Sequence, residues 1–530
     1  MVTRATAISR ITHWLPEIVT PCFLAGFLYL SAVIVFHALF EPDPRKALTN
    51  LESAAAVGLV ACFCAHSSSR DLDRGSAIAR WPAFLPLITV LPFLFSIRAP
   101  LLFDSYAHVV QAGAGSFADA LNRSYGAADG FFRPLGYADY WLEYKWAGFH
   151  AWVWHLDGLL LHLATTYLVY VLCRKLSLSP LASSFAALFF GLHGTNPEDV
   201  FWTAARFDQL AAIFVLFTLI LLCEYTDKKS VVRLAAMFVC CALALVSKES
   251  AFCVAGLAVC CLWWRRPLNA RGLKSVASIV GISMAIFAYR YSVVGGIGGY
   301  RDAHGNSIAL HFHPLHLLEV VVFRMWGVLL FPINWSVAPQ VWLSASVALL
   351  ACAGLVTGFA SRPRGRMVVA ALGFCIVGIA PAVAGHLASL TATISGSRVF
   401  YIPSIGLALL IGAVYDGFAK KGLASAAVTG LLVFQSAALV HNLLIWRDTA
   451  YLARRTCVAF ARLADRSQPA YVLPLPRLHH GVYFLANGFS DCVFVNAGKR
   501  IAIAPGTKAR PGEKVFSWDQ ASESVKEGLP

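Results

Sequence analysis

The chain has 530 residues, 58% hydrophobic and 13% charged, with a mean hydropathy of +0.65 and a formal net charge of +15. A composition this apolar excludes a soluble globular enzyme and reads as an all-α polytopic membrane protein. The basic excess sits in short turns between apolar runs, so it follows the positive-inside rule and is no footprint for nucleic acid.

In chain order, the apolar runs read as spans fall at 18–40, 51–65, 82–97, 154–173, 181–192, 209–223, 231–246, 252–264, 276–294, 341–360, 367–385, 405–415 and 424–444, about thirteen helices. The first reads as a signal anchor, because it lacks a small-residue cleavage site and further spans follow. Arg4 and Arg10 precede it, and basic turns recur after every second crossing: Arg70, Arg74 and Arg80, then Arg174 and Lys175, then Lys228, Lys229 and Arg233. Arg265, Arg266, Arg271 and Lys274, then Arg362, Arg364 and Arg366, then Lys420 and Lys421 continue the series. This places the N-terminus in the cytoplasm and the tail beyond residue 445 outside. The expected location is a bacterial inner (plasma) membrane, with the tail periplasmic.

Three outer loops, 98–152, 193–208 and 295–339, interrupt the predicted transmembrane domain, 1–445. The first opens with Asp104 and carries the aromatic run FFRPLGYADYWLEYKW, which includes Arg133 and suits one or two helices on the membrane surface. The second, HGTNPEDVFWTAARFDQ, packs Glu198, Asp199, Arg206 and Asp208 against the bilayer edge, where charges are costly unless they meet a ligand or each other. Glu198, Trp202 and Arg206 share one helical face if the next helix begins near Pro197. The third carries His304, His311, His313 and His316 with Glu319 nearby; metal binding there is open, without a recognisable ligand spacing. Its apolar stretch 317–331 fits a re-entrant or surface helix, since counting it as a span would put SRPRGR outside.

Between the seventh and eighth spans, LVSKESAF leaves no room for a loop, so Lys248 and Glu249 lie at membrane depth. With Arg206 and Arg398 on the same side, Lys248 would build a cationic pocket at headgroup level, suited to an anionic lipid phosphate. His155 and His162 are two turns apart on one face of the fourth span, as buried hydrogen-bonded residues or as ligands. The tail, 446–530, divides into a helical lead over 446–466 and a small α/β or β-rich remainder, in which AYVLPLP, GVYFLANG, CVFVNA and RIAIAP alternate like short strands. Twelve of the 14 cysteines lie in predicted spans; Cys457 and Cys492 fall in the tail, where they could pair in an oxidising compartment or remain free thiols.

In order, FFRPLGYADYWLEYKW, HLDGLLLH, FFGLHGTNPEDVFWTAARFDQLA, LVSKESA and SRVFYIPSIG resemble the transmembrane and tetratricopeptide-repeat O-mannosyltransferases and their bacterial relatives. The resemblance covers about residues 95–445 and extends to the protein O-mannosyltransferases of the GT-C class. It implies an active site on the outer side, a sugar donor carried on a polyprenyl phosphate, and a protein, lipid or glycan acceptor. It assigns Asp104 and Glu198 to catalysis and Arg206, Lys248, Arg398 and Tyr401 to the lipid phosphate and donor. Asp199, Asp208, Glu249, Arg133, His155 and His162 support them; a divalent metal is open and none is required by the residues. The chain departs from the pattern in lacking the repeat array, in having Ser105 after a single acid, and at Gly194 and Pro197.

The expected reaction is inverting transfer, with Asp104 as base. A glycan ligase or polymerase using an undecaprenyl diphosphate donor shares the layout and differs in its donor. A lipid or solute transporter would place ionisable groups at mid-span between inverted repeats, and no repeat is visible here.

Overall fold

The computed structural model describes residues 77–122, 124–125, 130–265, 269–299, 325–334, 365–382, 393–418, 421–464, 469–505, 509 and 513–528. The expected spans 18–40, 51–65 and 341–360, the residues 317–324 of the re-entrant stretch, and the group His304, His311, His313, His316 and Glu319 lie outside the described residues.

The chain enters through a 3₁₀ helical run, Ala77–Ser96, in which Pro86 and Pro92 withhold the amide donors an α-ladder needs. The first outer loop then folds as three helices, α1 (Ser105–Ala114), α2 (Phe117–Asn122) and α3 (Pro134–Ala147), with the short antiparallel pair β1 (Ser124–Tyr125) and β2 (Phe131–Phe132) between α2 and α3. Helices α4 (Ala151–Lys175), α5 (Pro180–Gly191), the single turn α6 (Asn196–Val200), α7 (Arg206–Asp227), α8 (Val231–Ser247), α9 (Val254–Arg265) and α10 (Ala270–Val294) follow. Local capping explains several boundaries. Ser179 accepts from the amide of Ala182 and is itself fixed by Asp416, while Asn269 accepts from Gly272 at the start of α10.

Beyond these come α11 (Trp326–Leu330), α12 (Gly365–Ile379), α13 (Tyr401–Gly417) and α14 (Lys421–Leu463). Among the described residues, six helical segments are long and apolar enough to cross a membrane: Ala151–Lys175, Thr203–Asp227, Ala270–Val294, Gly365–Ala382, Ser397–Gly417 and Ala424–Leu463. The count of thirteen is therefore not reproduced within the described part. The expected span 181–192 is a 12-residue helix. The expected span 252–264 splits into a 3₁₀ turn, Glu249–Cys253, and the 12-residue α9, because ionic contacts hold Lys248 and Glu249 at the junction.

The core is contiguous. The apolar window of Ser397–Gly417 is 89% buried and that of Thr203–Asp227 is 78% buried, whereas that of Ala270–Val294 is only 17% buried, so α13 and α7 form the centre and α10 the flank. Helix α13 packs against α12 and α5, and α7 lies between α4 and α8. At Gly406 a Cβ would meet the amide nitrogen of Cys375 at 2.7 Å, so that crossing of α13 over α12 requires glycine.

Residue 446 falls inside α14, which runs for 43 residues without a break into the tail. The tail holds β3 (Ala470–Val472), β4 (Leu478–His479), β5 (Val482–Tyr483), α15 (Phe489–Ala497), β6 (Ile503–Pro505), β7 (Val515–Asp519) and β8 (Ser524–Gly528). A four-stranded sheet has the order β6-β3-β7-β8; β3 is parallel to both neighbours, and β7 and β8 form an antiparallel hairpin. CVFVNA is helical, not a strand: Cys492 faces α14, where it forms a disulfide with Cys457. Helix α15 also packs on α1, which brings the tail against the first outer loop.

Candidate active site

Asp104 stands at the entry to α1, directly after Phe103, whose φ of +55° turns the chain sharply. Trp202 Nε1 donates to Asp104 Oδ1 at 2.9 Å. Gly488 from the tail closes over this turn: its φ is +73°, and a Cβ there would clash with the Phe103 carbonyl. Burial pushes the Asp104 carboxyl up to about 7, against the opposing pull of Arg398, Trp202 and Arg133.

The second outer loop does not form one helical face. After α6, Trp202 takes an extended conformation, ψ +103°, before the turn Thr203–Ala205 and the start of α7. That kink sends Glu198 and Arg206 in different directions. Glu198, fully buried, pairs with Arg398 and accepts from the Ser397 amide at 2.8 Å and its hydroxyl at 3.2 Å. Arg398 also donates to the Tyr483 hydroxyl at 3.1 Å and lies 4.9 Å over the Trp202 ring. Tyr483 stacks on Phe103 at 5.1 Å and packs tilted against Trp202 at 4.8 Å, so the Trp202 and Tyr483 rings flank Arg398 while Phe103 backs Tyr483.

Deeper in, Lys248 pairs with Asp208. Asp199, 1% exposed, has neither carboxylate oxygen hydrogen-bonded among the described residues. Burial pushes its carboxyl well above the usual range, Asp208 and Glu198 add to the rise, and Lys248 and Arg398 oppose it. Asp199 thus links the Glu198–Arg398 and Asp208–Lys248 pairs electrostatically. Glu249 accepts from Arg133 at 2.8 and 3.0 Å and lies 3.5 Å from Arg290. Burial alone would raise its carboxyl, but these two guanidinium groups outweigh it and hold the group below the usual range.

Two residues expected at the donor phosphate are engaged by partners of their own. Arg206, 1% exposed, is enclosed by Glu143, Asp157 at 3.1 Å and Asp139 at 3.4 Å, so its charge is taken up by carboxylates of α3 and α4. Tyr401 is fully buried in the core and donates to His162 Nδ1 at 2.8 Å, while His162 Nε2 donates to the Gly191 carbonyl at 3.0 Å. His155 Nε2 donates to the Ala99 carbonyl at 3.1 Å and steadies the approach to Asp104. Both histidines are hydrogen-bonded core residues.

Sequence reasoning missed Tyr483, Phe103 and the three acids around Arg206. Tyr483 sits in a short strand with no charge pattern to mark it, and its partner Arg398 is 85 residues away. Acids are legible in FFRPLGYADYWLEYKW and HLDGLLLH, but their convergence on Arg206 depends on the packing of α3 on α4. A cleft of about 720 Å³ between the first outer loop and the tail is lined by Arg98, Tyr106, His150, Trp152, Arg454 and Asn496 among others, and Asp104 is not among its lining residues.

Among the described residues, two clusters have the ligand atoms to hold a cation: Asp139, Glu143 and Asp157, and, in the tail, His479, His480 and Glu523. The first already surrounds Arg206.

No family model matches the chain. Over 192 residues the chain is 28% identical to the protein O-mannosyl-transferase Tmtc2 of Drosophila melanogaster. By sequence, the chain resembles the O-mannosyltransferases. The match takes in 34% of this chain and 20% of the relative, so the chain spans about a fifth of that protein's length. Among solved structures, ArnT from Cupriavidus metallidurans bound to undecaprenyl phosphate aligns with a TM-score of 0.42 at 14% identity, over 83% of this chain and 93% of that one. AglB from Archaeoglobus fulgidus, an oligosaccharyltransferase in complex with an inhibitory peptide and a dolichol-phosphate, aligns with a TM-score of 0.46 at 11% identity, over 82% of this chain and 65% of that one.

Proposed function

We propose that this chain is a membrane glycosyltransferase of the GT-C type, moving a sugar from a polyprenyl-phosphate donor to an acceptor hydroxyl with inversion at the anomeric carbon. The observation that carries the reading is the setting of Asp104: a carboxyl of intermediate exposure that desolvation pushes up to about 7, hydrogen-bonded by Trp202 and within the field of Arg398. A base tuned to the working pH is what removal of a hydroxyl proton calls for.

In the reaction, Asp104 takes the acceptor's proton as the acceptor oxygen forms its bond to the anomeric carbon. The bond from that carbon to the phosphate oxygen breaks on the opposite face, and its electron pair leaves with the lipid phosphate. Lys248 and Arg398 stabilise the charge that grows there, each offset in the resting state by Asp208 and Glu198. Asp199, its carboxyl driven up and its oxygens unpartnered, donates a hydrogen bond to the departing phosphate.

The test is Asp104→Asn in full-length protein reconstituted with labelled polyprenyl-phosphate sugars and membrane extract. Loss of a general base lowers transfer by about 10²–10⁴-fold. A variant that folds normally and keeps full transfer removes Asp104 from this role. Transfer from a diphosphate-linked oligosaccharide, but not from a monophosphate-linked sugar, would favour the ligase reading.

A further inference from the structure

The strand pair β4–β5 turns through His480 and Gly481, with φ of +46° and +77°. Two positive φ values in a two-residue hairpin are the type I′ pattern, which strongly prefers Asn-Gly. Here the first position is histidine. A second left-handed residue, Glu523 with φ +45°, ends the turn between β7 and β8, where its side chain approaches the same point. Only four described non-glycine residues have positive φ, and two of them meet here. Such strain persists where the surroundings enforce it and is a pointer to function.

What the strain achieves is convergence. Neighbouring residues of a strand point to opposite faces. The left-handed turn brings the rings of His479 and His480 to 4.2 Å between centroids. His479 Nε2 lies 3.1 Å from Glu523 Oε1, and one donor atom from each of the three residues falls within 4.8 Å of the others. Tetrahedral zinc with nitrogen and oxygen ligands at about 2.0–2.2 Å places its donors about 3.3 Å apart, so rotamer adjustment alone closes the set. Two imidazoles and one carboxylate are a donor set suited to zinc, with a fourth position left to water.

We propose that His479, His480 and Glu523 form a zinc site that clasps the β4–β5 turn to the β7–β8 turn. The position gives the clasp a consequence. Three residues after His480, Tyr483 accepts from Arg398, and the His480 carbonyl accepts from Asn334 Nδ2 at 2.7 Å. Zinc therefore braces the strand that delivers Tyr483 to the candidate active site. Metal binding is independent of the transferase reading; only the effect on Tyr483 rests on it.

The experiment uses full-length protein purified in detergent without a polyhistidine tag, stripped with chelator and titrated with zinc chloride. Bound metal is measured by elemental analysis and the unfolding midpoint by thermal scan. The wild type is expected to hold one zinc per chain and to melt higher when loaded. His480→Gly relieves the left-handed strain while removing a ligand, so its metal-free form should melt no lower than the metal-free wild type. Its zinc affinity should fall by more than about 100-fold, beyond what loss of a supporting group costs. Glu523→Gln should weaken zinc in the same direction. No stoichiometric zinc on the wild type, or equal binding by the wild type and both variants, overturns the proposal.

Discussion

Trp202→Phe separates the tuning of Asp104 from the architecture around it. Phenylalanine keeps a ring against Tyr483 and Arg398 but deletes the indole N–H that donates to Asp104 at 2.9 Å. A hydrogen bond to a charged group is worth about 1.5–3 kcal/mol, less where water can replace the donor, and 1.36 kcal/mol corresponds to one pKa unit. Asp104 is intermediate in exposure, so a rise of about one unit from about 7 is the expected size. The sign is set by the role: the base must be ionised, so a higher pKa moves the acid limb of the activity profile to higher pH. At pH 7 the ionised fraction falls from about a half to about a tenth, so kcat/KM drops about fivefold and recovers by about pH 9. The assay is kcat/KM for transfer from a labelled polyprenyl-phosphate sugar across that pH range, for wild type and variant side by side. An acid limb with an unchanged midpoint, or a loss equal at every pH, would refute the reasoning.

Arg206→Met strands Glu143, Asp139 and Asp157 without their cation. Breaking a buried ionic contact costs about 3–5 kcal/mol, read as a lower thermal midpoint in detergent at about pH 9, where Glu143 is ionised. Burial pushes Glu143 up to about 8 and raises Asp139, so acidification through pH 8 should protonate Glu143 and shrink the penalty; a midpoint equal to wild type at about pH 9 counts against the account. The Cys457–Cys492 bridge spans a sequence separation of 35 residues, for which loop-closure entropy gives about 4 kcal/mol. Cys457→Ser with Cys492→Ser should lower the midpoint of the tail, followed by Trp518 fluorescence, and an unchanged midpoint would show that the bridge adds nothing.

The membrane class, the helical segments at 151–175, 270–294 and 365–382, and the concentration of charge near HGTNPED and LVSKESA were readable from local pattern, because hydropathy and spacing are properties of neighbouring residues. Partner choice was not. Trp202 reads as the middle of a helical face until its extended backbone splits the loop, so Glu198 reaches Arg398, 200 residues on, while Arg206 turns to acids on α3 and α4. The same limit applies to Tyr401, which looks like a site tyrosine and is a core hydrogen-bond donor to His162.

Composition and periodicity alone establish that this chain lives in a bilayer and that ionisable groups gather at the ends of its spans, since the cost of a charge in hydrocarbon is paid residue by residue. Which charges neutralise one another, which carboxylate is left to titrate near neutrality, and that a tail residue such as Tyr483 completes the pocket were decided only in three dimensions. Coulombic and hydrogen-bond energies depend on distances of a few ångströms between residues whose separation along the chain says nothing about them.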